Sequence, residues 1–202
     1  MTTLTSLVRE FYFDIIQQGL NPQRENLLHC ICRRNQYELF AQLVLDGNSL
    51  CQQDIEGRTP IHVAIERAHH KCLLCFCKLL QDYDQLDESI QKDLCRAFHA
   101  YNNNGHTILQ EAVLHDMQDL VRDILSFCQK YNVQIIEKEV LGCGDSLLHL
   151  IVKKNLIQMA KIVCDFFPEL KMYENYAGIL PQNLSEITQE MAEVLQNVYN
   201  VK

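Results

Sequence analysis

The fold of this chain is decided by the eight residues at 57–64, which read GRTPIHVA, because the same pattern returns along the sequence. Residues 105–112 read GHTILQEA, and residues 144–151 read GDSLLHLI. Residues 25–31 read ENLLHCI, and a shorter copy, GILPQNL, stands at 178–184. A pattern that returns this often indicates that one structural unit is built several times over.

The spacing of these copies measures the length of the unit. Five positions are equivalent: His29, His62, Gln110, His149 and Asn183. Successive members of this set lie 33, 48, 39 and 34 residues apart. Two intervals are close to 33 residues, and the other two are that period with added residues. The 202-residue chain is therefore predicted to be a repeat array, with a core buried between successive units.

Each copy carries the signals that begin a helix. The hydroxyls of Thr59, Thr107 and Ser146 are placed to accept a hydrogen bond from a backbone N–H of the first helical turn. Pro60 stands at the first helical position, where a missing N–H costs nothing. The preceding glycine allows the positive φ with which the chain turns into the helix. We therefore predict a helix in each copy, with the histidine near its start in a structural role.

The pattern GRTPIHVA resembles the signature of ankyrin repeats, whose period is also 33 residues. This resemblance implies an all-α-dominated ankyrin-repeat solenoid, a single domain of stacked helix–turn–helix repeats with β-hairpin fingers and helical caps at both ends. It also implies that the histidines bond within and between fingers. The implied boundaries are an N-terminal capping helix at 1–20, repeats at about 24–56, 57–100, 105–140 and 144–175 with an insertion at about 81–100, and a degenerate C-terminal repeat or cap at 178–202.

The stretch HHKCLLCFC at 69–77 has two interpretations. Two histidines and three cysteines could form a metal site, or they could fill the second helix of a repeat, predicted at 71–80. In a helix Cys75 and Cys77 point about 200° apart, and no second C-x-x-C stands elsewhere to complete a zinc site. Four side chains would then share the buried face: Cys72, Leu73, Phe76 and Leu80. We therefore predict core packing, with no metal and no cofactor.

The composition argues against several classes of protein. A net charge of −8 does not suit general nucleic-acid binding, which needs a basic face; it suits a basic partner, and it also serves solubility. No apolar run has membrane-spanning length, and the first residues lack the order of a signal peptide. We therefore expect a cytoplasmic and/or nuclear protein with ten reduced cysteines. No catalytic motif occurs, so we expect no enzyme.

The insertion at 81–100 begins with four acidic residues: Asp82, Asp84, Asp87 and Glu88. Leu86, Ile90 and Leu94 follow at four-residue steps, which predicts an extra amphipathic turn or two against the repeats. The acidic start could contact a partner, or it could be a solvated loop. At the other end of the chain, we predict that Ser185 caps a final helix.

Three stretches are more specific than the general repeat. Residues 100–113 read AYNNNGHTILQEAV, residues 135–152 read IIEKEVLGCGDSLLHLIV, and residues 174–184 read ENYAGILPQNL. They resemble the IκB family, in which a Y-N-G-H-T run opens the third repeat, the next finger carries an extra loop, and a Y-x-G-x-x-P step begins a worn repeat. Over about residues 25–184 the chain therefore resembles an IκB-like inhibitor or modulator of Rel/NF-κB transcription factors.

This resemblance implies a repeat surface that covers a Rel dimer. In the family the first repeats hold the dimer's basic nuclear-localisation segment, and later repeats contact its dimerisation domains. Carried over by position, the early surface contains Asp54, Glu56, Arg58, Glu66 and Arg67, of which the acids at 54 and 56 suit a basic segment. The later surface contains Tyr101, Asn102, Asn103, Asn104, Glu137, Leu141, Cys143, Tyr173 and Tyr176. Polar finger tips occur in every ankyrin protein, so contact with solvent alone also accounts for these residues.

The sequence contains no D-S-G-x-x-S phosphodegron, and Ser89 lies beside acidic residues without that motif. We therefore expect a short IκB-like protein, similar to those of insect-associated viruses or to a small nuclear IκB. It would block DNA binding and/or nuclear entry without signal-induced degradation, and it would be a monomer before it binds a Rel partner. The alternative is an ankyrin adaptor or regulatory subunit that scaffolds a kinase or ubiquitin-ligase complex. The generic repeats alone do not decide between the two.

Overall fold

A computed structural model describes residues 21–134 and 144–197. These residues contain ten α-helices, four short 3-10 helices and no β-strand. The chain divides into two compact units, Met1–Asn103 and Asn104–Lys202. The predicted N-terminal capping helix at 1–20 and most of the predicted long finger, 135–143, lie outside the described residues. No helix in the described ranges is both long and apolar enough to cross a membrane.

The first unit is built from pairs of helices that pack on each other. Its helices are α1 (Leu27–Arg34), α2 (Phe40–Leu45), α3 (Pro60–Glu66), α4 (His70–Gln81) and α5 (Glu88–Phe98), with 3-10 turns at Tyr37–Leu39 and Tyr83–Gln85. The first helices of successive repeats, α1 and α3, pack on each other, and so do the second helices, α2 and α4. The core of this unit therefore lies between equivalent elements of neighbouring repeats.

The second unit follows the same plan. Its helices are α6 (Ile108–Leu114), α7 (Gln118–Tyr131), α8 (Leu147–Lys153), α9 (Ile157–Phe166) and α10 (Gln189–Asn197), with 3-10 turns at Pro168–Met172 and Pro181–Asn183. Helix α6 packs on α8, and α7 packs on α9. The last helix begins at Gln189, where the Thr188 hydroxyl accepts from the Met191 N–H at 3.3 Å; the prediction of Ser185 as its cap was wrong. The helix pairs confirm the predicted fold class of helical repeats.

The first helix of each repeat begins with reciprocal hydrogen bonds. In α3 the Thr59 hydroxyl accepts from the His62 backbone N–H at 3.4 Å, and the His62 ring accepts from the Thr59 N–H at 3.2 Å. Such a pair satisfies two backbone donors that a helix start otherwise leaves without partners. Equivalent pairs begin α1, α6 and α8: Asn26 with His29, Thr107 with Gln110, and Ser146 with His149. The predicted caps at Thr59, Thr107 and Ser146 are confirmed.

Two of the histidines also join one repeat to the next. Because Nδ1 accepts the capping hydrogen bond, Nε2 of the neutral ring carries the proton and is a donor. Nε2 of His29 donates to the Arg58 carbonyl at 2.9 Å, and Nε2 of His149 donates to the Ile179 carbonyl at 2.8 Å. Burial lowers the pKa of His29, which favours this neutral ring. The predicted structural role is confirmed at both positions.

Gln110 stands at the histidine position of the third repeat and leaves a donor unused. Its Oε1 accepts from the Thr107 N–H at 2.8 Å. Its Nε2 is buried and has no hydrogen-bond partner within the described part of the chain. A buried donor without an acceptor costs about 1–3 kcal/mol, so this repeat is less stable than its pattern allows.

We expect Gln110→His to raise the free energy of unfolding by about 1 kcal/mol. With Nδ1 accepting from the Thr107 N–H, the rigid imidazole would direct Nε2 at the carbonyl of Asp145. Asp145 directly follows Gly144, just as Arg58 follows Gly57 and Ile179 follows Gly178. The reverse change, His149→Gln, should lower the free energy of unfolding by a similar amount because it removes the bond to Ile179. Urea unfolding of both variants measures the two effects. A loss of stability in Gln110→His would show that this site requires an amide.

The insertion between the second and third repeats is a helix of three turns, longer than the predicted turn or two. Helix α5 buries four apolar side chains: Ile90, Leu94, Ala97 and Phe98. Its Asp93 carboxylate accepts from the Ser49 hydroxyl at 2.8 Å, from the Cys51 thiol at 2.9 Å and from the Leu50 N–H. The second half of the insertion is therefore part of the first unit, and it fixes the segment that precedes the second finger.

Candidate functional site

The finger of the second repeat is a tight turn at 54–58. The Asp54 N–H donates to the Arg58 carbonyl at 2.9 Å, and the Gly57 N–H donates to the Asp54 carbonyl at 3.1 Å. Oδ1 of Asp54 accepts from the backbone N–H groups of Glu56 and Arg58, each at 2.9 Å. Only three residues separate Asp54 from Arg58, so this turn is too short to contain two hydrogen-bonded β-strands. No strand occurs in the described residues, so the β-hairpin predicted for this finger is a tight turn instead.

The finger of the last repeat repeats this turn with an amide. Oδ1 of Asn175 accepts from the Ala177 N–H at 3.0 Å and from the Ile179 N–H at 3.1 Å. The Asn175 N–H donates to the Ile179 carbonyl at 3.0 Å, as Asp54 does to Arg58. Asp54 and Asn175 therefore have the same role, which is to hold the turn from its first residue.

The next residue of each turn forms its tip and faces solvent. These tips are Ile55, 55% exposed, Asn103, also exposed, and Tyr176, 69% exposed. The Asn103 backbone N–H donates to the Glu56 carbonyl at 2.9 Å, and its side-chain amide donates to the Ile55 carbonyl at 3.2 Å. The Ile55 N–H donates to the Gln23 carbonyl at 3.0 Å in the same way. Within the first unit each finger is therefore joined to the one before it.

The finger glycines make room for the next tip. A Cβ on Gly57 would lie 2.8 Å from Oδ1 of Asn103, and a Cβ on Gly144 would lie 2.6–2.7 Å from three ring carbons of Tyr176. Both glycines also have a positive φ, +72° and +73°, which disfavours any other residue. Two separate reasons therefore favour glycine at each of these positions. Its backbone adopts a positive φ, and the absence of a Cβ leaves space for the side chain of the next finger tip.

Asp54 is buried and does not belong to the exposed surface. Its side chain is 1% exposed, and Oδ2 binds Nε and Nη2 of Arg58 at 2.9 and 2.8 Å. Burial acts to raise the pKa of Asp54, but the hydrogen bonds and charge of Arg58 and the Glu56 N–H outweigh it, so the pKa lies below its usual value. The expectation that Asp54 contacts a partner is corrected: its carboxylate is already bound within the finger.

The charge of the Arg58 guanidinium is largely neutralised by neighbouring carboxylates. Beyond Asp54 it pairs with Glu56 at 2.8 Å and with Glu66 at 3.0 Å, and its side chain is 14% exposed. Glu56 is exposed, and so is Arg67 at the end of the same helix. Of the predicted early surface, Glu56 and Arg67 are therefore the charged residues most open to a partner.

A charge pair with a spacing of eight residues recurs in three repeats. It joins the residue before a helix cap to a residue in the last turn of that helix: Glu25 with Arg33, Arg58 with Glu66, and Asp145 with Lys153. In the third repeat His106 has no such partner eight residues on, and its ring lies 3.1 Å from Glu111 instead. Sequence reasoning missed these pairs, although opposite charges at a fixed offset in aligned repeats were the signal. They neutralise charge that would otherwise attract a partner.

The predicted later surface divides into buried and exposed positions. Asn102 is buried, and Tyr101 is half-buried with its carbonyl accepting from Nε2 of Gln53 at 2.7 Å. Asn103 and Asn104 are exposed, Tyr173 is half-buried and Tyr176 is the most exposed aromatic side chain in the described ranges. Three predicted residues lie outside the described residues: Glu137, Leu141 and Cys143.

The stretch at 69–77 lies in and just before α4, after a turn at Ala68 with φ of 51°. The predicted inward side chains Cys72, Leu73, Phe76 and Leu80 are buried, as is Cys77. Nδ1 of His69 lies 2.6 Å from the Cys32 carbonyl, so this ring already has a protein partner. Within 21–134 and 144–197, no three or more His, Cys, Asp or Glu side chains are grouped to hold a metal ion, and the nine cysteines there are free thiols.

We expect the purified protein to contain no stoichiometric zinc. Elemental analysis measures the metal, and circular dichroism before and after a chelator measures the fold. Because Cys72 packs in the core and His69 binds a carbonyl, chelation should leave the helical signal unchanged. One tightly bound zinc per chain, lost together with the helical signal, would contradict this account of α4.

Comparison with known proteins agrees with the repeat architecture. A family model of ankyrin repeats, in three copies, matches residues 28–136, which is more than half of the chain. The chain is also 24% identical over 197 residues to the nuclear factor NF-kappa-B p110 subunit of Drosophila melanogaster. That match covers 94% of this chain but spans only 18% of the length of the relative. The chain therefore belongs to the ankyrin-repeat family and is a protein–protein interaction module.

Proposed function

We propose that this chain is an IκB-like inhibitor or modulator of Rel/NF-κB transcription factors, blocking their DNA binding and/or nuclear entry in the cytoplasm or nucleus. The observation that carries the proposal is the similarity to the Drosophila NF-kappa-B p110 subunit, which extends over 94% of the chain instead of one or two repeats. The segments at 100–113, 135–152 and 174–184, which resemble the IκB family, support it. We further propose that the inhibitor is a monomer until it binds a Rel dimer and that it persists after stimulation.

The proposed mechanism is competition. A repeat surface lying across the dimerisation domains and the localisation segment of a Rel dimer would be incompatible with the arrangement that the dimer adopts on DNA. The exposed finger tips, among them Ile55 and Tyr176, offer solvent-facing side chains for such contacts. Charge contributes less than the sequence suggests, because Asp54 is bound to Arg58, and Arg58 also pairs with Glu56 and Glu66.

The experiment that tests the proposal pairs binding with function. A purified Rel homology-region dimer is titrated with the protein, first alone and then on κB-site DNA, while a κB reporter is measured in stimulated cells. We expect direct binding, loss of the DNA complex and reduced reporter activity after stimulation. An unchanged reporter together with no binding would favour the alternative, an ankyrin adaptor for a kinase or ubiquitin-ligase complex.

Glu56 should contribute the steering charge of the second finger. We expect Glu56→Lys to slow association with the Rel dimer about two- to five-fold at low salt and to leave dissociation nearly unchanged, because exposed charges act mainly on encounter. Stopped-flow association at several salt concentrations measures this effect. Asp119→Lys is the matched control, since it changes the net charge equally at a fully exposed site on α7, away from the second finger in sequence. Equal slowing by both variants would assign the effect to net charge instead of to this finger.

Reversal of Asp54 is unsuitable for that test. A lysine at this position would remove the acceptor of two backbone N–H groups and place a second cation against Arg58. Any loss of binding would then report a damaged finger instead of a lost contact.

A further inference from the structure

We propose that Tyr176 and Glu174, on the finger of the last repeat, form a binding site for a cationic side chain, arginine or lysine, of a protein partner. The inference rests on the proposed function only for the identity of that partner. The site combines an aromatic face with a carboxylate on one turn, which is the chemistry that recognises a guanidinium or ammonium group.

The ring of Tyr176 is held in place before any partner arrives. Three of its ring carbons lie 2.6–2.7 Å from the position that a Cβ on Gly144 would take, so one face of the ring rests on that glycine. The turn beneath it is fixed by the two hydrogen bonds that Oδ1 of Asn175 accepts. Even so, the residue is 69% exposed. An ordered aromatic side chain that faces solvent loses little conformational freedom when a partner covers it.

Glu174 differs from the acids at 54, 56 and 145, which lie in or beside the described fingers. Asp54, Glu56 and Asp145 each pair with an arginine or lysine. Glu174 is exposed and makes no ion pair with any residue in the described ranges. Its Oε2 lies 4.0 Å from the position of a Cβ on Gly178, which places the carboxylate beside the same turn as Tyr176.

The lysine that is linked to this turn through Asp145 is already paired. Lys153 pairs with Oδ2 of Asp145, and Oδ1 of Asp145 accepts from the Asn175 side-chain amide at 3.0 Å. The second unit as a whole has thirteen acidic and eight basic residues between 104 and 202. The negative charge of Glu174 and the excess of acidic residues in this unit therefore both attract a cation electrostatically.

An apolar side chain would fit this site less well. It could cover the Tyr176 ring, but it would also remove water from the Glu174 carboxylate without replacing the lost hydrogen bonds. A guanidinium can stack on the ring and bind the carboxylate at once, since its planar fork serves both contacts. The first unit contains the cation–ring half of this contact within the chain, where the Lys71 ammonium lies 4.7 Å from the centre of the Tyr37 ring.

Three substitutions of the ring and one of the carboxylate test the site against the purified Rel homology-region dimer. We expect Tyr176→Phe to bind within about two-fold of the wild type and Tyr176→Leu to bind about five-fold more weakly, because leucine keeps apolar area but has no aromatic face. Tyr176→Ala should be at least as weak as Tyr176→Leu, and Glu174→Gln should weaken binding about three-fold. Wild-type binding by Tyr176→Leu would overturn the proposal in favour of an apolar contact.

A second probe separates this site from the proposed function. The protein is titrated with the acetylated, amidated peptide Arg-Arg-Arg and with its citrulline analogue, which keeps the shape and removes the charge. We expect the arginine peptide alone to shift the NMR signals of Tyr176 and Gly144, and Tyr176→Leu to abolish the shift. A shift without any Rel binding would refute the Rel proposal and leave the site intact. Equal shifts with both peptides, or none at these residues, would overturn the site.

Discussion

Replacing Leu148 with alanine should lower the free energy of unfolding by about 2–5 kcal/mol, the cost of removing a leucine from a closed core. Leu148 is the second residue of α8 and has no exposure to solvent. Helix α8 packs between α6 and α9, so the lost side chain would leave a cavity shared by two repeats. Ile61 is equivalent in α3 and is also fully buried, and Ile61→Ala should have a similar cost.

The measurement is urea unfolding combined with hydrogen exchange. Because repeats couple mainly to their neighbours, the loss of protection in Leu148→Ala should appear first in α6, α8 and α9. Leu74→Ala is the matched control: Leu74 is 67% exposed on α4, and its truncation should cost less than about 0.5 kcal/mol. A cost below about 1 kcal/mol for Leu148→Ala would contradict the alignment of the repeats.

The elements that could be predicted from the sequence depend on residues close together along the chain. Thr59 and His62 are three residues apart, and their pairing follows from the geometry of one helical turn. The buried face of α4 follows in the same way from the 3.6-residue period of Cys72, Leu73, Phe76 and Leu80. The helical repeat fold was therefore predictable.

The roles that were not predicted depend on contacts that a local pattern does not contain. Asp93 binds a segment 42–44 residues earlier, so nothing near it in the sequence indicates that α5 fixes the second finger. The exposed and buried acids of a finger also look alike in sequence, so the sequence alone places Asp54 on the surface. One signal was available: Asp54, Asn102 and Asn175 each stand three residues before a finger glycine, a recurrence that indicates a turn-forming side chain.

Replacing Asp54 with alanine should lower the free energy of unfolding by about 2–3 kcal/mol, the cost of leaving buried donors without their acceptor. Arg58 keeps its pairs with Glu56 and Glu66, so its charge stays compensated. The change removes the acceptor of the Glu56 and Arg58 N–H groups and leaves the Arg58 guanidinium, 14% exposed, without its most buried partner. Asp54→Asn should cost clearly less, because Asn175 shows that an amide oxygen can hold the same turn. Both variants lose the ion pair with Arg58, but only Asp54→Ala also loses the hydrogen bonds that hold the turn. The difference between their free energies of unfolding, measured in urea, therefore gives the contribution of the turn.

Acid should diminish the difference between the wild type and Asp54→Asn. The pKa of Asp54 in the folded protein lies below its usual value, since the hydrogen bonds and charge of Arg58 and the Glu56 N–H outweigh the effect of burial. A carboxyl with a lowered folded pKa stabilises the fold fully above its unfolded pKa, about 3.9, and loses that contribution as the pH falls through the folded value. Urea unfolding of both proteins at pH 7, 4 and 3 should therefore show their stabilities converging at the acidic end. Asparagine cannot titrate, so a difference that remains constant down to pH 3 would mean that the charge of Asp54 does not stabilise the finger. The burial of this carboxylate against Arg58 would then need another explanation.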